Sequence, residues 1–270
     1  MHSKWIKRSM KYYVVADVHG FFSELKSALN EKGFFNDKEP HKLIMCGDLL
    51  DRGAEALEVQ SFVLDLMKKD EAILIRGNHE DLLVDLVENA DKWITQNVMM
   101  THHWSNGTVD SVLQLTGKDL TSSILYPEGF ALTAKNTPLY KTILPAMKDY
   151  YETKHYIFVH GWIPCHVIGR GVSTYDTYFY QENWREQNEE QWNRARWLNG
   201  MAAASQQVIE PDKTIVCGHW HCSFGHSAIE GKCPEFGEGA NFSPYYAKGI
   251  IAIDACTAYS GKVNCLIIDD

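Results

Sequence analysis

No stretch of the 270-residue chain approaches the roughly 18 consecutive apolar residues that a bilayer-crossing helix needs, so a membrane span is not expected. An excess of positive charge is also missing: 26 Lys and Arg stand against 35 Asp and Glu, a net of −9. Neutralising a phosphate backbone or an anionic lipid surface takes clustered cations, so neither nucleic acid nor a membrane is expected as a partner. Seven cysteines are present but no CxxC pair, which excludes a thiolate metal knuckle or a paired redox motif. Their odd number and irregular spacing, with several inside apolar runs, read as small buried hydrophobes in a reduced, cytoplasmic protein. A secretory leader is not expected either. Behind the basic residues Lys4, Lys7 and Arg8 the apolar stretch extends only from Tyr12 to Ala16 before Asp17 interrupts it. Internal repeats and low-complexity tracts are absent, and the sequence carries no signal for self-association.

What remains is an ordinary globular composition, 45% apolar and 23% charged. Short apolar runs recur at Tyr12–Ala16, Leu43–Cys46, Ile73–Ile75, Tyr156–Val159, Ile215–Cys217, Ile250–Ile253 and Val263–Ile268. Their length and unbroken apolarity suit strands buried on both faces. Between the first three, Phe22, Leu25, Ala28 and Leu29, and then Ala56, Val59, Phe62, Val63 and Leu66, repeat at helical spacing. The first ninety residues therefore predict β-α-β-α-β-α with parallel strands. Residues 93–149 mix polar and apolar positions with breakers and predict a mostly helical cap or insertion. Residues 1–10 are expected to form a flexible N-terminal tail and 11–270 a single catalytic domain, with Met10-Lys11 resembling an alternative start.

The informative feature is positional. Five of the apolar runs are followed at once by residues of metal-binding or acid–base type: Asp17 and His19; Asp48, Asp51 and Arg52; Arg76, Asn78, His79 and Glu80; His160; and His219 and His221. Carboxyl ends of strands in an open sheet share one edge, where ligands bind, so the five groups should converge. Asp, Asn and His without cysteine suit two divalent ions of manganese, iron(II) or zinc. Turn and capping duty is the plain alternative for Asp and Asn at strand ends, but it does not account for five such groups in register.

Three segments carry a family resemblance: Asp17-Val18-His19-Gly20, Gly47-Asp48-Leu49-Leu50-Asp51-Arg52-Gly53 and Gly77-Asn78-His79-Glu80. In order and spacing they are similar to the three signature motifs of the phosphoprotein phosphatase family of metallophosphoesterases. Later segments resemble its bacterial and phage-type branch, which also includes the symmetrical diadenosine tetraphosphatases. These are Trp104-Ser105-Asn106-Gly107, Val159 to Pro164, Trp192-Asn193-Arg194, Val216 to His219 and Ile253-Asp254. The resemblance implies a metallophosphoesterase four-layer α/β/β/α sandwich with two mixed central sheets. It implies one cation on Asp17, His19 and Asp48, and a second on Asp48, Asn78, His160 and His219. His79 would be the general acid, oriented by Asp51, and Arg52, Arg76 and Arg194 would hold phosphate oxygens. The implied reaction is hydrolysis of phosphate monoesters by a hydroxide shared between the ions, with a phosphoserine or phosphothreonine protein as the expected substrate. The alternative is hydrolysis of a phosphorylated small molecule, by a dinucleoside polyphosphate hydrolase of the diadenosine tetraphosphate type or by a phosphodiesterase acting on a small nucleotide.

Three departures from the family pattern stand out. Ala16 occupies a position where the first motif usually has glycine. Thr108 replaces a usual second glycine after Asn106-Gly107. His221 follows His219, as in wider metallophosphoesterases that use such a histidine on the first ion, and it is counted with the expected ligands. Glu80 is expected to cap its helix, His102 and His103 to lie at the surface or in the cap, and Trp184, Trp192 and Trp197 to pack.

Overall fold

Alternation along the strands sets the layers. The computed structural model describes residues 10–270. Its first three strands, β1 (Lys11–Val15), β2 (His41–Cys46) and β3 (Ala72–Ile75), pair in parallel. They are joined by the crossover helices α1 (Phe22–Glu31) and α2 (Ala56–Lys68). Short strands β4 (Tyr151–Glu152) and β5 (Tyr156–Phe158) follow, then a separate ribbon of β6 (His166–Ile168) and β7 (Thr177–Phe179). The chain ends with β8 (Thr214–Cys217), β9 (Tyr245–Ala247), β10 (Ile250–Ala252) and β11 (Leu266–Asp269). Two mixed sheets result, in the orders β11-β1-β2-β3 and β4-β5-β8-β10-β9. In each, a parallel trio is flanked by antiparallel edge strands, β11 in the first and β4 and β9 in the second.

Successive side chains point to opposite faces of a strand. Tyr13, Val15, Leu43, Met45 and Leu74 pack with α1 and α2 residues such as Leu25 and Val63. Their neighbours Tyr12, Val14, Ala16, Ile44, Cys46, Ile73 and Ile75 face the other way. There they meet Phe158, Val216 and Ile253 of the second sheet in a core between the sheets. The outer face of the second sheet, with Ile157, Ile215 and Ile250, packs on Trp184, Trp192 and the 200–205 helix residues Met201 to Ala204. This order of helices, sheet, sheet and helices is the four-layer sandwich. The internal strands of both sheets therefore have two buried faces, which is why their sequences read as unbroken apolar runs.

Residues 90–146 contain only helical elements and turns, the longest being 108–116 and 127–135. The tail expected over residues 1–10 falls outside the described residues except for Met10. Met10 exchanges backbone bonds of 3.0 and 3.1 Å with Asp270 and so continues the β1–β11 ladder. The last apolar run forms a strand only from Leu266, because Val263 and Cys265 turn into the helix-side core before pairing begins. No described helix is long and apolar enough to cross a membrane, and all seven cysteines are free thiols.

Candidate active site

The five strand exits meet at the seam between the sheets. β1, β2 and β3 lead to Asp17, Asp48 and Asn78, and β5 and β8 lead to His160 and His219. Asp17, His19, Asp48, Asp51, Arg52 and His219 all have left-handed backbone, with φ between 51° and 78°. That conformation costs a non-glycine residue about 1 kcal/mol or more, and it persists where the surroundings impose it. Here backbone bonds impose it: His19 N–H donates to Asp48 O at 2.9 Å, Gly53 N–H to His19 O at 2.8 Å and Gly218 N–H to His160 O at 2.8 Å. Close approach also fixes residue type. A Cβ on Gly218 would lie 2.0 Å from Asp17 Oδ2 and 2.6 Å from the Ala16 methyl. Gly218 thus makes the room in which alanine is tolerated at position 16.

Two donor groups share Asp48. His19, Asp48 and His79 form one, and Asp48, His160 and His219 the other, each with its ligand atoms within 4.8 Å of one another. Asp48 Oδ2 lies 3.6 Å from His19 Nε2, and Oδ1 lies 3.3 Å from His160 Nε2. Asn78 Oδ1 is 2.7 Å from His160 Nε2, and Asp17 Oδ1 is 4.0 Å from His19 Nε2. The second nitrogens are fixed from behind, His19 Nδ1 on Leu50 O at 3.0 Å and His160 Nδ1 on Cys46 O at 2.8 Å. Such outer contacts set the tautomer that leaves Nε2 for a metal.

The charge balance shows what the cluster lacks. Burial and the neighbouring Asp254 push the Asp17 carboxyl well up, and burial pushes Asp254 to about 7. Burial also works against Asp48, but the surrounding imidazoles outweigh it and hold its carboxyl well down. Burial depresses His219 to about 3 and holds His19 low. His160 resists the same burial because Asp48 raises it to about 10. Three carboxyl groups are buried together, and beside them burial disfavours the charged form of His19 and His219. Oxygen and imidazole donors in that state fit divalent cations.

His79 is held differently. Its Nδ1 lies 2.6 Å from Asp51 Oδ2, and that oxygen also accepts from Thr108 Oγ1 at 2.7 Å. Burial lowers the His79 pKa, but Asp48 and Asp51 more than reverse this, so its proton affinity is raised. Arg52 reaches over the donors, its Nη1 donating to His19 Nε2 at 2.6 Å and its Nη2 to His79 Nε2 at 3.1 Å.

The profile of the calcineurin-like phosphoesterases matches residues 10–238, most of the chain. The chain belongs to the calcineurin-like phosphoesterase family. An asymmetrical bis(5'-nucleosyl)-tetraphosphatase of Anoxybacillus flavithermus is 30% identical over 137 residues, 48% of this chain and 52% of that protein. A symmetrical bis(5'-nucleosyl)-tetraphosphatase of Buchnera aphidicola is 39% identical over 75 residues, 28% of this chain and 26% of that protein. The chain thus spans about half the length, or less, of these two relatives. A crystal structure of a candidate diadenosine tetraphosphatase superposes over 97% of this chain and 94% of its own, with a TM-score of 0.51 and 14% identity. That likeness is one of fold.

Three of the expected site residues in this phosphoesterase lie apart from the donor groups. His221 Nε2 pairs with Glu235 at 3.1 Å and its ring packs on Phe236 at 4.7 Å; it is in neither shared-Asp48 group. Arg76 is tied by Nε to Asp81 Oδ1 at 2.6 Å, and Asp81 also receives the buried Arg196 at 2.8 Å. Arg194 is exposed and lines a cavity together with Trp197. His103, expected at the surface or in the cap, lies in a helix of the cap region and is fully buried there against Asp85 at 3.0 Å.

Several supporting residues of the phosphoesterase site escaped the sequence reading. Thr108 departs from the family glycine to good effect, because its hydroxyl holds Asp51, while Ser111 Oγ accepts from Asp51 N at 2.8 Å. Asp254 ends an apolar run as the ligand residues do, a signal that could have placed it at the site. Glu80 does more than cap its helix: it accepts the N–H groups of Asp48, Leu49 and Gly77 at 3.0, 2.9 and 2.7 Å. Glu80→Gln replaces one acceptor by an amide that faces an N–H donor. A stability loss of about 1–3 kcal/mol is expected in denaturant titration, together with weaker metal binding. Unchanged values for both would show that Glu80 does not hold the Asp48 turn.

Proposed function

We propose that the protein hydrolyses dinucleoside polyphosphates at a dinuclear metal centre. The observation that supports it most is the sharing of one carboxylate, Asp48, by two converging donor groups. Asp17, His19 and Asp48 would hold one cation, and Asp48, Asn78, His160 and His219 the other, with manganese, iron(II) or zinc matching the donors. Bound cations supply Lewis acidity and lower the pKa of water. The chain's own groups do the rest. Arg52 is placed to turn from His19 and His79 onto phosphoryl oxygens, which its planar fork matches. His79, steadied by Asp51, is placed to give a proton to the leaving oxygen.

The substrate class is supported by the names of the curated relatives and by exposed aromatic faces around the site. Trp197 stands 5.9 Å from the His219 ring, and Phe236 and Tyr259 lie beyond His221. Such faces suit nucleobases better than a flexible phosphopeptide. A phosphoserine or phosphothreonine protein remains the second reading, favoured by the three signature motifs. Turnover of diadenosine tetraphosphate, a phosphoserine peptide and bis-p-nitrophenyl phosphate by the metal-loaded protein separates them. The dinucleotide should have the highest kcat/KM; a higher value for the peptide overturns the reading.

A further inference from the structure

Arginine pairing singles out one place. Arg76, Arg185 and Arg196 are each held by carboxylates, and Arg52 lies against two imidazoles. The guanidinium groups of Arg170 and Arg194 have no carboxylate partner among the described residues, although acidic residues outnumber basic ones in the chain by 35 to 26. Both line the same cavity of about 170 Å³, with Gln191, Trp197, Leu198 and Val167.

This cavity adjoins the donor groups. The β5 exit that carries His160 runs on to Pro164 in the cavity wall, and Trp162 N–H ties that exit to Ala195 O at 3.0 Å. Trp197 links the two: it lines the cavity, and its ring meets that of His219 edge-on. Arg170 is presented by a braced loop. Asp176 accepts the N–H groups of Arg170, Val172 and Ser173 at 3.1, 2.9 and 3.0 Å. The carboxylate nearest to Arg170 in the loop is therefore taken up by backbone. Gly169, at φ 121°, permits this, since a Cβ there would sit 2.0 Å from Asp176 Oδ1. Two like charges on one small cavity repel each other, and an anion between them removes the penalty.

We propose that this cavity is an anion subsite for a phosphate borne on the same substrate as the scissile phosphoryl group, namely a distal phosphate of a linear polyphosphate chain. The inference rests on the dinucleoside polyphosphate reading and adds to it the residues that distinguish such a chain from a lone phosphate. Trp197 and Leu198 give the cavity an apolar wall, and the two arginines give it its charge.

The test uses metal-loaded wild type, Arg170→Ala and Arg170→Lys, each checked for an unchanged melting temperature. Arg170 is exposed and outside the donor groups, so p-nitrophenyl phosphate, with its single phosphate, should be turned over equally by all three. For diadenosine tetraphosphate the KM of Arg170→Ala should rise about ten-fold with little change in kcat, and lysine should restore part of it. Equal KM values for the dinucleotide in wild type and Arg170→Ala would overturn the subsite while leaving the proposed function standing. If wild type ignores the dinucleotide, that function fails first. Singly and doubly phosphorylated peptides then decide the cavity: a preference for the doubly phosphorylated peptide that depends on Arg170 assigns it to a phosphoprotein and overturns the polyphosphate proposal, and no such preference overturns it too.

Discussion

Asp48→Asn is expected to lower kcat by at least about 10³-fold and to reduce the metal content of the purified protein. The reason is the double use of one side chain: Oδ2 lies 3.6 Å from His19 Nε2 and Oδ1 lies 3.3 Å from His160 Nε2. Asparagine keeps the shape but removes the negative charge, and its amide group presents hydrogens to one set of donors. A metal's charge stabilisation is worth several kcal/mol of barrier, and each 1.36 kcal/mol is tenfold in rate. The fold should survive, because the substitution also relieves repulsion among Asp48, Asp17 and Asp254, all buried. Elemental analysis beside circular dichroism checks this. A folded variant with full metal occupancy and a normal rate would remove Asp48 from the shared position.

His79→Asn is expected to behave differently, losing turnover of phosphate esters with strongly basic leaving groups while keeping its metal. Asparagine cannot deliver a proton, and a general acid is worth roughly 10²–10⁴-fold. The loss should depend on the leaving group. An alkyl phosphate releases a strongly basic alkoxide and should show the full effect. Release of p-nitrophenolate or of a nucleoside phosphate needs far less protonation and should show little. The slope of log kcat against leaving-group pKa, compared between wild type and variant, reads this directly. Parallel slopes would mean that His79 binds or positions substrate and does not transfer a proton.

Much of the architecture was legible because each internal strand is buried on both faces. All seven apolar runs contain a strand, and the residues that follow five of them meet at one seam. The short strands β4, β6, β7 and β9 were not legible: they have two or three residues, lie at edges or in a ribbon, and carry no unbroken apolar run. For side chains the dividing line is the partner. Asp17, Asp48 and His160 are placed by their own strand and turn, which local sequence encodes. Arg76 depends on Asp81, His221 on Glu235, and Asp51 on Thr108, partners that only the folded chain brings near. A cation's residue type announces that it can hold phosphate; which carboxylate reaches it first is decided by packing.

The seam has one more consequence. His219 N–H donates to Asp17 Oδ2 at 2.9 Å, His160 Nδ1 lies 2.8 Å from Cys46 O, and its Nε2 lies 2.7 Å from Asn78 Oδ1. Each of these contacts joins one sheet to the other. The alignment of the two halves and the assembly of the reaction centre are therefore a single event. A slip of either sheet by a fraction of an ångström, brought about by reshaping a residue of the core between the sheets such as Ile268, would detune the chemistry while leaving every ligand in place.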